Sequence, residues 1–77
     1  MTFKTVVYSK HASQRMQLRG IRRSDVRRVL ELGTAADTIG VDGMRAKATS
    51  VRGESLVVQY KESATGIYVV TVYFANR

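Results

Sequence analysis

His11, Arg15 and Arg19 recur at four-residue intervals between Ser9 and Gly20. On a helix that interval places all three on one stripe. An imidazole titrates near working pH, and two guanidinium forks match the geometry of a phosphate. Placed at 100° per residue, Leu18, His11, Arg15, Arg19, Ala12 and Met16 fall in that angular order within one arc of about 160°. A helix packed on a sheet through Ala12, Met16 and Leu18 would hold the three polar side chains at the edge of its buried face. Hydroxyl donors come from strand-like segments further on, namely Tyr60, Thr71 and Tyr73, with Arg45 and Lys47 as added cations. This set suits metal-independent cleavage of RNA, in which the 2′-hydroxyl attacks the neighbouring phosphate. One group takes the 2′-proton, another protonates the departing 5′-oxygen, and cations hold the charge on the phosphorane. His11 would be base or acid, Arg15 and Arg19 the charge clamps, and Tyr60 or Tyr73 a second proton donor.

Duller roles exist for each residue. A histidine two positions after an N-cap can simply bond to backbone. Arg15 can fix a helix to strand carbonyls, and tyrosines in strands are usually packing residues. Gly20 and Gly33 terminate helices, and no glycine-rich nucleotide motif is present.

The elements that must position these residues are readable along the chain. Thr5–Tyr8 is a short strand, and Ser9 caps a helix over about Lys10 to Arg19 that Gly20 ends. Ile21 and Val26 have the spacing of a hydrophobic staple for a second helix over about Arg23 to Leu32. Asp25 lies in its first turn, Val26, Val29 and Leu30 form its apolar stripe, and Gly33 is its C′ residue. The period then becomes two. Strands are expected over Ala36–Val41 with Met44–Val51 around an Asp42-Gly43 turn, then Ser55–Lys61 after an Arg52-Gly53 turn, then Ile67–Phe74 after a loop over Glu62 to Gly66, the last being central. The order β-α-α-β-β-β, with room for one more short strand around Met44 to Val51, predicts an α+β domain with two N-terminal helices on an antiparallel sheet, and residues 1–77 are expected to form one domain.

In the last strand Tyr68, Val70, Val72 and Phe74 alternate with Ile67, Val69, Thr71 and Tyr73. If the first set packs inward, Thr71 and Tyr73 stand on the open face, where Arg45, Lys47 and Tyr60 could join them. A one-residue register error inverts this answer, so the sequence leaves the face open.

Charge narrows the partners. Thirteen Lys and Arg against six Asp and Glu give +7, and nine of the thirteen bases are arginine. Lys4, Lys10, Arg15, Arg19, Arg22, Arg23, Arg27 and Arg28 lie in one stretch with Asp25 as its sole acid. Such a block reads as a nucleic-acid footprint or as a surface complementary to an acidic protein. A solvated basic face kept for solubility is the plain alternative. The chain has no cysteine and one histidine, which excludes a disulfide framework, a thiolate nucleophile and clustered Cys/His metal sites. Asp37 and Asp42, the only carboxylate pair in sequence reach, fall at strand and turn positions. No cofactor is implied. The absence of a leader or a ~20-residue apolar run gives the expectation of a soluble cytoplasmic protein without membrane contact.

The stretch from Tyr8 to Ile21, with Ser9, His11, Ala12, Arg15, Met16, Arg19, Gly20 and Ile21, continues through Asp25-Val26-Arg27-Arg28-Val29-Leu30. It resembles a small bacterial family, domain of unknown function 4258, whose opening looks like S-x-H-A-x-x-R-M-x-x-R-G-I. Leu56-Val57-Val58 and Val70-Thr71-Val72-Tyr73 are similar to that family's last two strands. Where the family often has Ser or Thr after Gly-Ile, this chain has Arg22, which weakens the second N-cap and adds charge. In layout the family is similar to the RelE, ParE and BrnT group of toxins, whose wider fold class includes barnase-like and colicin-like ribonucleases. The resemblance implies two helices against an antiparallel sheet and, in some members, free or ribosome-dependent RNA cleavage. It places site roles on His11, Arg15 and Arg19 and on Thr71 and Tyr73.

The expectation is therefore a basic RNA-acting protein, a metal-independent endoribonuclease of toxin type. Its catalytic candidates are His11, Arg15, Arg19, Tyr60, Thr71 and Tyr73. Lys10, Arg22, Arg23, Arg27, Arg28, Arg45 and Lys47 are its nucleic-acid contacts. Two rivals accompany it: a non-catalytic nucleic-acid binder, and a module that binds an acidic protein such as an antitoxin.

Overall fold

Ser9 shows how this sequence starts its first helix. Its extended backbone and its hydroxyl, which accepts from Ala12 N–H at 2.9 Å, begin α1 (Lys10–Arg19), and left-handed Gly20 stops it. The computed structural model describes residues 5–36 and 43–75. Its elements run β1 (Thr5–Tyr8), α1, α2 (Arg23–Leu32), β2 (Thr34–Ala35), β3 (Arg45–Val51), β4 (Glu54–Glu62) and β5 (Gly66–Phe74). The fold is α+β, as expected, with one strand more than the six-element order anticipated. A two-residue strand, β2, precedes the expected Ala36–Val41 strand, of which only Ala36 is among the described residues. Residues 37–42, including the Asp37 and Asp42 carboxylates and most of the expected turn before Gly43, lie outside the described residues.

At α2 the carboxylate of Asp25 accepts the Arg22 N–H at 2.9 Å, which supplies half a capping box where Arg22 itself cannot cap. Ile21 and Val26 are both buried, completing the staple. Gly33 departs from expectation: its φ of −69° is not left-handed. The reason for glycine is closeness, since a Cβ there would run into the Val29 carbonyl and lie 3.1 Å from the Ala48 oxygen.

The sheet has the order β1-β5-β4-β3-β2 and is mixed, with β1 parallel to β5 and the other pairs antiparallel. That corrects the all-antiparallel expectation. Parallel partners need a long crossover, and the two helices with three strands supply it. β3 and β4 join through Arg52-Gly53, both at positive φ (51° and 82°), the pairing that matches strand twist in a two-residue hairpin. From that turn Arg52 donates to the Gly20 carbonyl at 3.0 Å and pairs with Asp25 at 3.5 Å, tying the hairpin to the junction of the helices.

Both helices cover one face. Ala12, Met16, Ile21, Val26, Val29 and Leu30 pack onto Val51, Leu56, Val58, Tyr60, Val69, Val72 and Phe74. Leu18, expected in this contact, is 79% exposed.

One irregularity decides which side chains reach that core. Gln59 pairs with Thr71 while Tyr60 pairs with Val69, so Val70 is an extra residue in β5. Before the bulge Ile67 and Val69 point inward; after it Val72 and Phe74 do. Neither of the two alternating sets expected from sequence survives whole. Ser9 holds the bulge in place by donating its hydroxyl to the Val70 carbonyl at 2.7 Å, while its N–H reaches the Val69 carbonyl at 2.9 Å.

Candidate functional site

The register of β1 ends with Tyr8 opposite Val69. From Val70 to Phe74, β5 therefore has a strand neighbour on one side only among the described residues. α1 leaves Ser9 at that point and runs beside the open edge. Arg15 and Arg19 line a recess of about 220 Å³ there together with Val72, Tyr73 and Phe74.

The helix geometry explains which of the three stripe residues take part. With Ala12 and Met16 marking the buried direction, Arg19 is turned away from it by about 40°, Arg15 by about 80° and His11 by about 120°. His11, the furthest turned, is exposed and does not line the recess; Arg15 is half-buried, and Arg19, although turned least, is exposed because it is the last residue of the helix. The sequence places all three on one stripe, and the structure brings two of them to β5.

Tyr73 lines the recess as part of β5, but its side chain belongs to the outward-facing set and its hydroxyl lies towards β4, 3.5 Å from the Gln59 amide nitrogen, at the limit of a hydrogen bond. Thr71 shares that outward set and pairs with Gln59. Two cations and the one-sided edge of a strand thus meet in a small concavity, with Tyr73 among its lining residues. An anion with several oxygens matches this chemistry, because each guanidinium offers a planar fork of donors.

The other expected members lie elsewhere. Arg45 and Lys47 alternate with Ala46 and Ala48 on β3, and pair with Tyr60 and Val58 of β4 on the helix-covered side. They cannot join Thr71 and Tyr73, which stand on the opposite face. Tyr60 is buried in the core. Lys47 donates from Nζ to the Leu30 carbonyl at 2.9 Å, satisfying an orphan acceptor in the last turn of α2. Arg45, Lys47 and Tyr60 line a separate hollow with Ala35, Ala36 and Ala46. The sequence could not show this, since the side a strand turns to the helices depends on its partner.

Lys10, Arg22, Arg23, Arg27 and Arg28 are all exposed. Arg22 and Arg23 stand at the start of α2, where the helix dipole disfavours positive charge. Helix stability alone does not account for them. Arg23 lies over the Tyr8 ring, 5.5 Å from its centroid, a cation–π contact that sequence reasoning missed. The Tyr8 hydroxyl is buried without a hydrogen-bond partner, and that burial raises its pKa above 10.0, partly opposed by the charges of Arg27 and Arg23.

Among the described residues no group of three His, Cys, Asp or Glu side chains converges as metal ligands, and no helix is long and apolar enough to cross a membrane. No curated protein and no solved structure matches the chain. The family model of a domain of unknown function (DUF4258) matches residues 8–74. The chain belongs to that family.

Proposed function

We propose that this DUF4258 member is a small basic RNA-acting protein that holds a backbone phosphate in the recess of Arg15, Arg19 and Tyr73. The observation that carries the reading is that Arg15 and Arg19 line one recess with Tyr73 at the open edge of β5. The exposed arginines of α2 add non-specific attraction to neighbouring phosphates, in keeping with the net charge of +7. In the toxin-type, RelE-like version of this reading the bound phosphate is cleaved without metal. The RNA's own 2′-hydroxyl attacks phosphorus, the bond to the 5′-oxygen breaks, and a 2′,3′-cyclic phosphate remains. Arg15 and Arg19 stabilise the phosphorane, Tyr73 protonates the leaving oxygen, and His11, one turn from Arg15, takes the 2′-proton. An acidic antitoxin would be the natural partner of such an enzyme.

A second reading, binding without cleavage, is favoured by the direction of His11, which points away from the recess. One experiment separates the two. Mixed-sequence RNA, free and ribosome-bound, is incubated in excess EDTA with wild type, His11→Ala and Arg15→Ala. Cyclic-phosphate ends with wild type that disappear in both variants support the nuclease. RNA binding lost only in Arg15→Ala, with no cleavage by any protein, supports the binder. Absence of both binding and cleavage refutes the RNA reading and leaves the acidic-protein module.

A further inference from the structure

Among the described residues no helix packs on the sheet face turned away from α1 and α2, and that face carries two partly exposed tyrosines. Tyr68 is 46% exposed and lies between inward-facing Ile67 and Val69; Tyr73 is 37% exposed between inward-facing Val72 and Phe74. Both rings therefore belong to the outward side of β5, one on either side of the Val70 bulge.

Each has a cation beside it. Lys61 of β4 pairs with Tyr68 in the ladder and also stands on the outward side. Arg15 and Arg19 border Tyr73. Beside Tyr68 a hollow of about 470 Å³ has Val7, Lys61, Glu62, Thr65 and Gly66 in its lining, with Val7 itself half exposed and Glu62 paired in the ladder with inward-facing Ile67. A ring next to a cation, repeated along one strand, is the arrangement that holds an unpaired nucleic-acid strand: the base stacks and the following phosphate pairs.

Spacing sharpens the ligand class. Five residue steps at about 3.3 Å separate the tyrosines by roughly 16 Å, less the shortening of the bulge. Bases that remain stacked on one another repeat at about 3.4 Å, so two bases resting on these rings belong to an extended, splayed strand. Duplex bases cannot reach either ring.

We infer that the open sheet face is a single-stranded RNA platform on which Tyr68 and Tyr73 stack two splayed bases, with Lys61 and the Arg15–Arg19 recess holding the phosphates at either end. This rests on the RNA-binding reading above and specifies the form of RNA. Tyr68 is its diagnostic residue, because it lies outside the phosphate recess and so tests the platform alone.

The experiment is fluorescence anisotropy with a short mixed-sequence RNA, single-stranded or annealed to its complement, across a salt series. Wild type is expected to prefer the single strand. Tyr68→Ala should weaken that binding roughly 5- to 150-fold, the cost of losing one base stack, with the slope of affinity against salt unchanged. Tyr68→Phe should retain wild-type affinity, since stacking needs the ring and not the hydroxyl. A melting curve for each variant reports whether the fold is intact; Tyr68→Phe and Tyr68→Trp, which keep a ring in place, replace the alanine variant if it unfolds. Equal binding of duplex and single strand overturns the platform, as does an unchanged affinity in folded Tyr68→Ala. In either case RNA binding by the recess stands. Failure of wild type to bind any RNA refutes the earlier reading, and the platform falls with it.

Discussion

Ser9→Ala removes a hydroxyl that makes two bonds at once, accepting from Ala12 N–H at 2.9 Å and donating to the Val70 carbonyl at 2.7 Å. Loss of an N-cap serine costs about 1 kcal/mol. An unmade bond to a partly buried carbonyl costs about as much again. The two losses together destabilise the fold by about 2 kcal/mol. At about 2.1 cal/mol/K per residue, a chain of 77 residues has an unfolding entropy near 0.16 kcal/mol/K, so Tm should fall by about 12 °C. The assay is thermal unfolding followed by circular dichroism, with exposed Ser13→Ala as the control. Ser9→Asp separates the halves of the effect: a carboxylate caps the helix but cannot donate to Val70, so this variant should also melt below wild type. RNA affinity should fall in Ser9→Ala even at temperatures where it is folded, because α1 then loses its tether to the strand that completes the recess. A Tm within about 3 °C of wild type would refute the claim that Ser9 couples the helix cap to the bulge.

Other substitutions test separate parts of the structure. Gly33→Ala should destabilise by about 1–3 kcal/mol, because its methyl collides with the Val29 carbonyl; denaturant titration measures it. Lys47→Met should lower stability by about 1 kcal/mol through the lost bond to Leu30, while leaving RNA affinity near that of wild type in the same anisotropy assay. Arg27→Glu with Arg28→Glu should do the reverse, weakening RNA binding and flattening its log–log salt slope by about 0.7 for each phosphate contact removed, with little change in Tm. Tyr8→Phe should be neutral or stabilising by about 1 kcal/mol at pH 7, since it deletes a buried hydroxyl with no partner. Burial raises the folded pKa of Tyr8, so its contribution is fully present below pH 10 and is lost as pH climbs through the folded value. The stability difference between wild type and the Phe variant should therefore widen above pH 10, as read by urea unfolding at a series of pH values.

The local elements were legible in the sequence because local interactions make them. Ser9 and Gly20 bracket α1, Ile21 and Val26 staple α2, Asp25 marks its first turn, and Arg52-Gly53 turns the β3–β4 hairpin; each acts over a few residues of chain. The four-residue interval of Arg15 and Arg19 likewise places them on one stripe whatever the rest of the chain does. The tertiary structure decided the faces. A strand of period two offers two sides, and only its partners and register choose between them. One extra residue at Val70 divides both alternating sets of β5, which sends Tyr73 and Tyr68 outward and Val72 and Val69 inward. Pairing of β3 with β4 turns Lys47 under α2 and removes Arg45 and Tyr60 from the edge that Arg15 and Arg19 border. The parallel docking of β1, which ends at Tyr8 and leaves the second half of β5 open, depends on contacts about sixty residues apart in the chain. No local pattern specifies such a contact, since its free energy is gained only when the whole sheet assembles.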